Sequence, residues 1–239
     1  MIDLHCHYLP GIDDGAQTLQ EGLDLARAAV AAGIKTAVLT PHVHVGRYEN
    51  NLSSIKKAFA AFQRSLSEEQ IDLDVRIGGE VRIGAEIIQL IEDGEMPYLG
   101  ELDGYQILLL EFPHSHVIIG ADKLVKWLLD RQIRPLIAHP ERNKEVMRNI
   151  DKIGPFMEMG CLLQITGASV IGDFGVPAQE CALRLLDRNW VSVVASDAHN
   201  LAHRPPNLNV ARQALAAIGG DTYARELTER MPARIVNAV

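Results

Sequence analysis

Cysteine is scarce in this 239-residue chain: Cys6, Cys161 and Cys181 stand far apart. Three scattered thiols exclude a disulfide-stapled scaffold and suit a reducing, cytoplasmic setting. No apolar run approaches the ~20 residues that a membrane-spanning helix needs. The opening Met1-Ile2-Asp3-Leu4-His5 has neither a basic nor an apolar leader, so no signal peptide is expected. Any task at a membrane would then be carried out from the cytoplasm, without direct insertion. Positive charge is also short: 23 Lys+Arg face 31 Asp+Glu, a formal net charge of -8. That balance argues against nucleic acid as a partner, because such binding neutralises phosphates with Lys and Arg. It leaves room for a small anionic substrate, since bound metal ions can reverse a local field. Linkers, low-complexity tracts and internal repeats are missing. Length alone would allow two domains; residues 1–239 read as one.

What is there is a series of short runs rich in Val, Ile and Leu, as strands buried on both faces should be. They fall at Ile2–Leu4, Lys35–Thr40, Leu73–Ile77, Gln106–Glu111, Arg134–Ala138, Cys161–Ile165 and Val191–Ala195. Helical spacing lies between most of them: Leu19, Leu23, Ala26 and Val30, with Gly33 as the stop; Ile55, Ala58, Phe59 and Phe62; Leu124, Trp127 and Leu128; Ala182, Leu185 and Leu186. A short helix is expected over 84–92, and one or two more over Asp221–Val239. Alternating strands and helices predict an α/β fold with a parallel sheet. An open sheet would gather its chemistry near one switch point. Here polar residues follow the strands along the whole chain, which favours a distorted seven-stranded (β/α) barrel related to the eight-fold TIM barrel.

Those polar endings are the informative part. His5 and His7 sit two apart on one strand, so they share a face while Cys6 points away. A lone His-x-His is more often a pair of ordinary histidines than a metal pincer. Asp13-Asp14-Gly15 follows in a loop: Asp13 reads as a turn or cap residue, Asp14 as a ligand. His42, Glu80, Glu111, His139, Asp197 and His199 complete the set. Glu80, after Gly78-Gly79, reads singly as a loop carboxylate. Glu111 ends a run that should be buried, where a carboxylate needs a cation or strong donors. His44, His114, His116 and His203 read as rim residues. Nine His, Asp and Glu candidates exceed what one ion uses; they fit two or three divalent ions sharing carboxylates. Without Cys, the donor set suits Mn, Fe, Co or Zn in a catalytic site, and such a cluster activates water and polarises phosphoryl oxygens.

Arg142 and Arg204 stand beside these motifs, with Arg47 a weaker third. The guanidinium fork matches phosphate oxygens; the plainer reading of Arg142 is a salt bridge to Glu141 or Glu145. Arginines beside metal ligands favour phosphoester over amide hydrolysis. Barrel amidohydrolases often bridge two metals with a modified lysine, and no lysine ends any of the seven strands.

Taken in order, these motifs resemble the PHP (polymerase and histidinol phosphatase) superfamily. More narrowly, they are similar to the bacterial metal-dependent protein-tyrosine phosphatases of capsule and exopolysaccharide loci. The carriers are Met1–His7 with Asp13-Asp14-Gly15, His42, Glu80, Glu111-Phe112, His139-Pro140-Glu141-Arg142, Ser196–Leu201 and Arg204-Pro205-Pro206. The resemblance implies a distorted seven-stranded barrel and a trinuclear, often manganese-dependent centre. It also implies phosphotyrosine as substrate, usually on the Tyr-rich tail of a cognate tyrosine kinase. Residues 46–51 and 113–120, which would shape substrate access, match that group poorly. Thiol-based tyrosine phosphatases need Cys-x5-Arg, and the residues six beyond the three cysteines are Ile12, Gly167 and Asp187. Metal chemistry is therefore expected, with Arg142 and Arg204 on the non-bridging oxygens and Asp14 or Asp197 as the carboxyl that delivers a proton to the leaving group, a role with which metal ligation competes. Alternatives are a small-molecule phosphatase, such as one acting on histidinol phosphate, and a silent regulatory module. A DNA exonuclease fits poorly with the acidic balance. The oligomeric state stays open.

Overall fold

The computed structural model describes residues 1–236. The last three residues of the expected terminal helices lie outside the described residues. The strands are β1 (Ile2–Cys6), β2 (Thr36–Leu39), β3 (His42–Val43), β4 (Asp74–Ile77), β5 (Glu80–Arg82), β6 (Gly100–Leu102), β7 (Tyr105–Glu111), β8 (Ile133–Ala138), β9 (Leu162–Thr166) and β10 (Val193–Ala195). They form two hydrogen-bonded groups, β1-β2-β4 and β10-β9-β8-β7-β5-β3. All pairings on these two paths are parallel; β6 joins β7 as an antiparallel hairpin that the sequence reading did not anticipate.

Chain continuity links the two groups. The predicted strand 35–40 is β2, and after Thr40-Pro41 the same course resumes as β3, which the sequence reading did not include. The course that begins at β4 resumes after Gly78-Gly79 as β5. Seven parallel courses result: β1, β2/β3, β4/β5, β7, β8, β9 and β10. The end courses meet, because Asp197 N donates to His5 O at 2.9 Å or less (2.8 Å), His7 N donates to Ala198 O (2.9 Å), and Cys6 bridges Ala198 in parallel. This is the expected barrel-like α/β architecture.

The helices between the courses are α1 (Leu19–Ala31), α2 (Leu52–Glu68), α3 (Glu86–Glu92), α4 (Ala121–Leu129), α5 (Lys144–Arg148), α6 (Gly154–Glu158), α7 (Gly167–Ile171), α8 (Val176–Asp187), α9 (Leu208–Gly219), α10 (Asp221–Arg225) and α11 (Met231–Val236). Among the described residues, no helix is long and apolar enough to cross a membrane. Thr18 and Glu21 form a capping box at the start of α1, and Gly33 (φ +82°) follows its end. Packing divides by strand parity. Leu108 and Leu110 join the large apolar layer under the helices. Ile107 and Leu109 join a smaller interior cluster with Leu4, Leu136, Val193 and Ile235. That interior cluster fills one end of the strands; the metal-liking residues occupy the other.

Candidate metal centre

Each ligand candidate is aimed by a local feature of its strand. The register of β1 against β2 slips between Asp3 and Cys6. Such a bulge re-aims side chains: Ile2 and Leu4 join the interior cluster, while His5 and His7 face the centre. Cys6 turns away and donates to Val38 O. Glu80 is not a loop carboxylate, as its glycine neighbours suggested. It opens β5, pairs with His42 and Leu109 in the ladder, and is fully buried. His139 (φ 32°) and Asp197 (φ 54°) both take left-handed backbone at strand ends. Non-glycine residues in that region carry strain of order 1–3 kcal/mol, and such strain clusters at functional sites.

All nine expected ligands come together. They fall into four overlapping groups whose candidate donor atoms lie within 4.8 Å of one another: His7, Asp14, His42 and His199; His5, His7 and Glu80; His5, His139 and Asp197; His42, Glu80 and Glu111. Glu80 Oε2 stands 2.8 Å from His42 Nδ1 and 3.3 Å from His5 Nε2, while Oε1 lies 2.6 Å from His139 Nε2. Asp197 Oδ1 lies 3.3 Å from His5 Nε2 and 3.5 Å from His7 Nε2. Asp14 Oδ1 reaches His42 Nε2 at 3.2 Å and His199 Nε2 at 3.5 Å.

The donor set fits divalent ions on its own chemistry. Among the described residues, Glu80 Oε2, Glu111 Oε2, Asp197 Oδ1 and His199 Nε2 are buried without an aligned hydrogen bond. Each such atom is costly unless another partner takes it. His5 Nε2 and His7 Nε2 face each other at 3.1 Å, while their Nδ1 atoms are engaged by Gln164 Oε1 (2.9 Å) and Asp13 Oδ2 (2.6 Å). With Nδ1 donating, both Nε2 lone pairs turn to the centre, the outer arrangement seen around metal-bound histidines. Asp13 also accepts from Gly15 N and His42 N. Its turn role was expected; its hold on His7 was not.

Protons balance these charges where cations would. Burial opposes the charge on His5, yet Glu80 and Asp197 outweigh it and hold the imidazole up to about 9. His42 is likewise held up to about 12, with Glu80 and Asp14 outweighing burial. Glu80 is itself held well below the usual carboxylate range, because His5, His42 and His139 overcome its burial. Glu111 goes the other way, raised by burial and by Glu80.

The arginines miss the plainer partners. Glu141 accepts from Thr166 and Ser169, and Glu145 pairs with Lys152 at 2.8 Å. Arg142 and Arg204 instead converge on Asp197 Oδ2, Arg204 at 2.5 Å. They wall a hollow of about 180 Å³ beside the ligands, together with Arg47 and Arg82. Arg47 lies over the Tyr48 ring at 5.0 Å. Arg82 was missed, although it stands two residues after Glu80 on the same strand. Its Nε is 3.1 Å from Glu111 Oε2 and its Nη1 donates to Phe112 O.

The model of the family described as "Capsular polysaccharide synthesis, CpsB/CapC" matches residues 1–237. The chain belongs to the CpsB/CapC family. Its relatives include the tyrosine-protein phosphatase YwqE of Bacillus subtilis, 38% identical over 229 residues, covering 96% of this chain and 89% of the relative. A solved structure from work on YwqE and Streptococcus pneumoniae CpsB, described as unique metal-dependent tyrosine phosphatases, superposes with a TM-score of 0.91 at 36% identity, covering 98% of this chain and 94% of that one. The Deinococcus radiodurans organophosphorus hydrolase shares the fold alone: TM-score 0.60, 15% identity, 98% and 91% covered.

For this CpsB/CapC chain a thiol nucleophile has no support. Cys6 is buried, and burial and Asp3 push its thiol well up. Burial holds Cys161 and Cys181 up to about 12. Two of the residues missed in sequence carried a readable sign. Gln164 is a lone amide inside an apolar strand, and Arg82 shares strand parity with Glu80.

Proposed function

We propose that the chain is a metal-dependent protein-tyrosine phosphatase that acts on the tyrosine-rich tail of a cognate bacterial tyrosine kinase in capsular or exopolysaccharide synthesis. The observation that carries this reading is the juxtaposition of nine metal-liking side chains with a hollow walled by four arginines. The family membership and the phosphatase relatives support it.

His5, His7, Asp14, His42, Glu80, Glu111, His139, Asp197 and His199 would hold two or three divalent ions, manganese first. When bound, such ions supply Lewis acidity toward phosphoryl oxygens and lower the pKa of water. Arg142 and Arg204 bind the non-bridging oxygens and stabilise the charge that spreads over them in the transition state. With phosphate present, their forks exchange one partner, Asp197 Oδ2, for another anion. Arg47 guards the entrance from the Tyr48 side. Hydrogen bonds from His199 and His42 hold Asp14 ionised, and His5 and Arg204 hold Asp197 ionised against its burial. Held ionised and reluctant to take a proton, both suit metal ligation over protonation of the leaving group. A phenolate, with a conjugate-acid pKa near ~10, leaves with less help than an alkoxide.

The test is hydrolysis of a phosphotyrosine peptide beside histidinol phosphate, with and without Mn²⁺ and with a chelator. Chelator-sensitive preference for the peptide is expected. Preference for histidinol phosphate would replace the substrate, and metal-replete silence on both would overturn the phosphatase reading.

A further inference from the structure

The arginine-walled hollow measures about 180 Å³, and six of the nine candidate ligands line it too. Beside it lies a groove of about 880 Å³, in the size range of ligand sites. The loop after β1, the first turns of α1, Tyr48 and the loop 199–203 form it. Asp14 and Tyr48 line both hollows, so the groove opens directly from the place where phosphate would sit.

The two hollows differ in charge. Four arginines line the small one, set against the carboxylates Asp14, Glu80, Glu111 and Asp197. Among the described residues, no Lys or Arg lines the groove, whereas Asp14, Glu21 and Asp24 do. Each of these carboxylates is half used. Asp14 Oδ1 faces His42 and His199. Glu21 Oε2 accepts from Gln17 N and Thr18 N as part of the α1 cap. Asp24 Oδ1 accepts from Gln20 and Arg27. The second oxygen of each has no protein partner among the described residues.

We infer that this groove receives the polypeptide flanking the phosphotyrosine, and that it selects a lysine or arginine close to that residue. The inference rests on the phosphotyrosine reading and adds its specificity. The occupant follows from continuity and charge. A chain whose phosphate lies among the arginines can leave past Tyr48 and Asp14 into the larger of the adjoining hollows, and the surface it meets there carries carboxylates with free oxygens. A glutamate there would meet like charge; a lysine would find two or three acceptors. Partly exposed pairs of this kind are individually weak, so no more than roughly three- to ten-fold in kcat/KM is expected from two of them.

The experiment uses the metal-loaded full chain. Phosphotyrosine peptides of equal length carry a single lysine, alanine or glutamate at each of the three positions on either side. The readout is the ratio of kcat/KM for the lysine over the glutamate peptide. Wild type should favour lysine several-fold at one or two positions, less so at high salt. The double variant Glu21→Gln, Asp24→Asn should bring that ratio toward one; glutamine keeps the α1 cap, so folding is preserved, and circular dichroism checks it. Equal rates for all wild-type peptides would overturn the inference while leaving the phosphotyrosine reading intact, and so would a lysine preference that survives the double variant. Failure on every peptide by enzyme that hydrolyses histidinol phosphate would overturn the phosphotyrosine reading, and the inference with it.

Discussion

The two ends of the same strands do different work. At one end of β7, Ile107 and Leu109 are fully buried among apolar neighbours; two residues on, with the same strand parity, Glu111 meets His42 and Arg82. Along β10, Val193 and Ala195 give way in the same manner to Asp197. The apolar end satisfies itself by close packing. The polar end leaves buried oxygens and nitrogens that protein donors do not align with. Stability and chemistry are thus separated by two residues of strand, and the strain at His139 and Asp197 lies wholly on the chemical side.

Substitutions at the two ends sharpen that contrast. Glu80→Gln should lower metal content and reduce metal-stimulated turnover by more than ~100-fold, beyond what loss of an outer hydrogen bond costs. Leu109→Ala should instead destabilise by about 2–5 kcal/mol with metal content per folded molecule retained. Denaturant melts beside elemental analysis separate the two; a Glu80→Gln protein with full metal and full activity would break the comparison. Arg142→Ala should cost ~10²–10³-fold in kcat/KM without emptying the metal site. Full activity in that variant would remove Arg142 from the phosphate site. Asp13→Asn, which weakens the acceptor for His7 Nδ1 and His42 N, should weaken metal affinity by ~10–100-fold, as read by competition with a chelating dye.

The smallest effect is on pH. His5 is raised from 6.5 to about 9, with Glu80 and Asp197 outweighing its burial. A raised folded pKa stabilises the metal-free protein fully below 6.5, and that stability is lost as pH climbs through about 9. A metal ion must displace the same proton. Metal-free protein should therefore melt earlier as pH rises over this window while Mn²⁺ affinity strengthens, and titrations in buffers of different ionisation enthalpy should report proton release. Affinity that is flat in pH would contradict the charge balance described for His5.

Much of this was legible because most of the candidate ligands end apolar runs. His5, His7, Glu111, His139 and Asp197 follow buried strands, and a polar residue in that position needs a partner. The seven courses were legible for the same reason. The breaks at Thr40-Pro41 and Gly78-Gly79 were not, since strand pairing across a short gap is tertiary; this is why Glu80 read as a loop residue. The β6 hairpin and the outer contacts of Asp13, Gln164 and Arg82 depend on neighbours far along the chain. Arg142 drew the wrong expected partners because Glu141 and Glu145 are close in sequence, whereas Asp197 is close only in space. The groove beside Tyr48 has no sequence signature, as four separate segments build it.

The most direct measurement is metal content and phosphotyrosine hydrolysis on the same samples during stepwise manganese loading of chelated protein. The account predicts two or three ions per chain, with activity rising as they bind. Full hydrolysis by metal-free protein would contradict it.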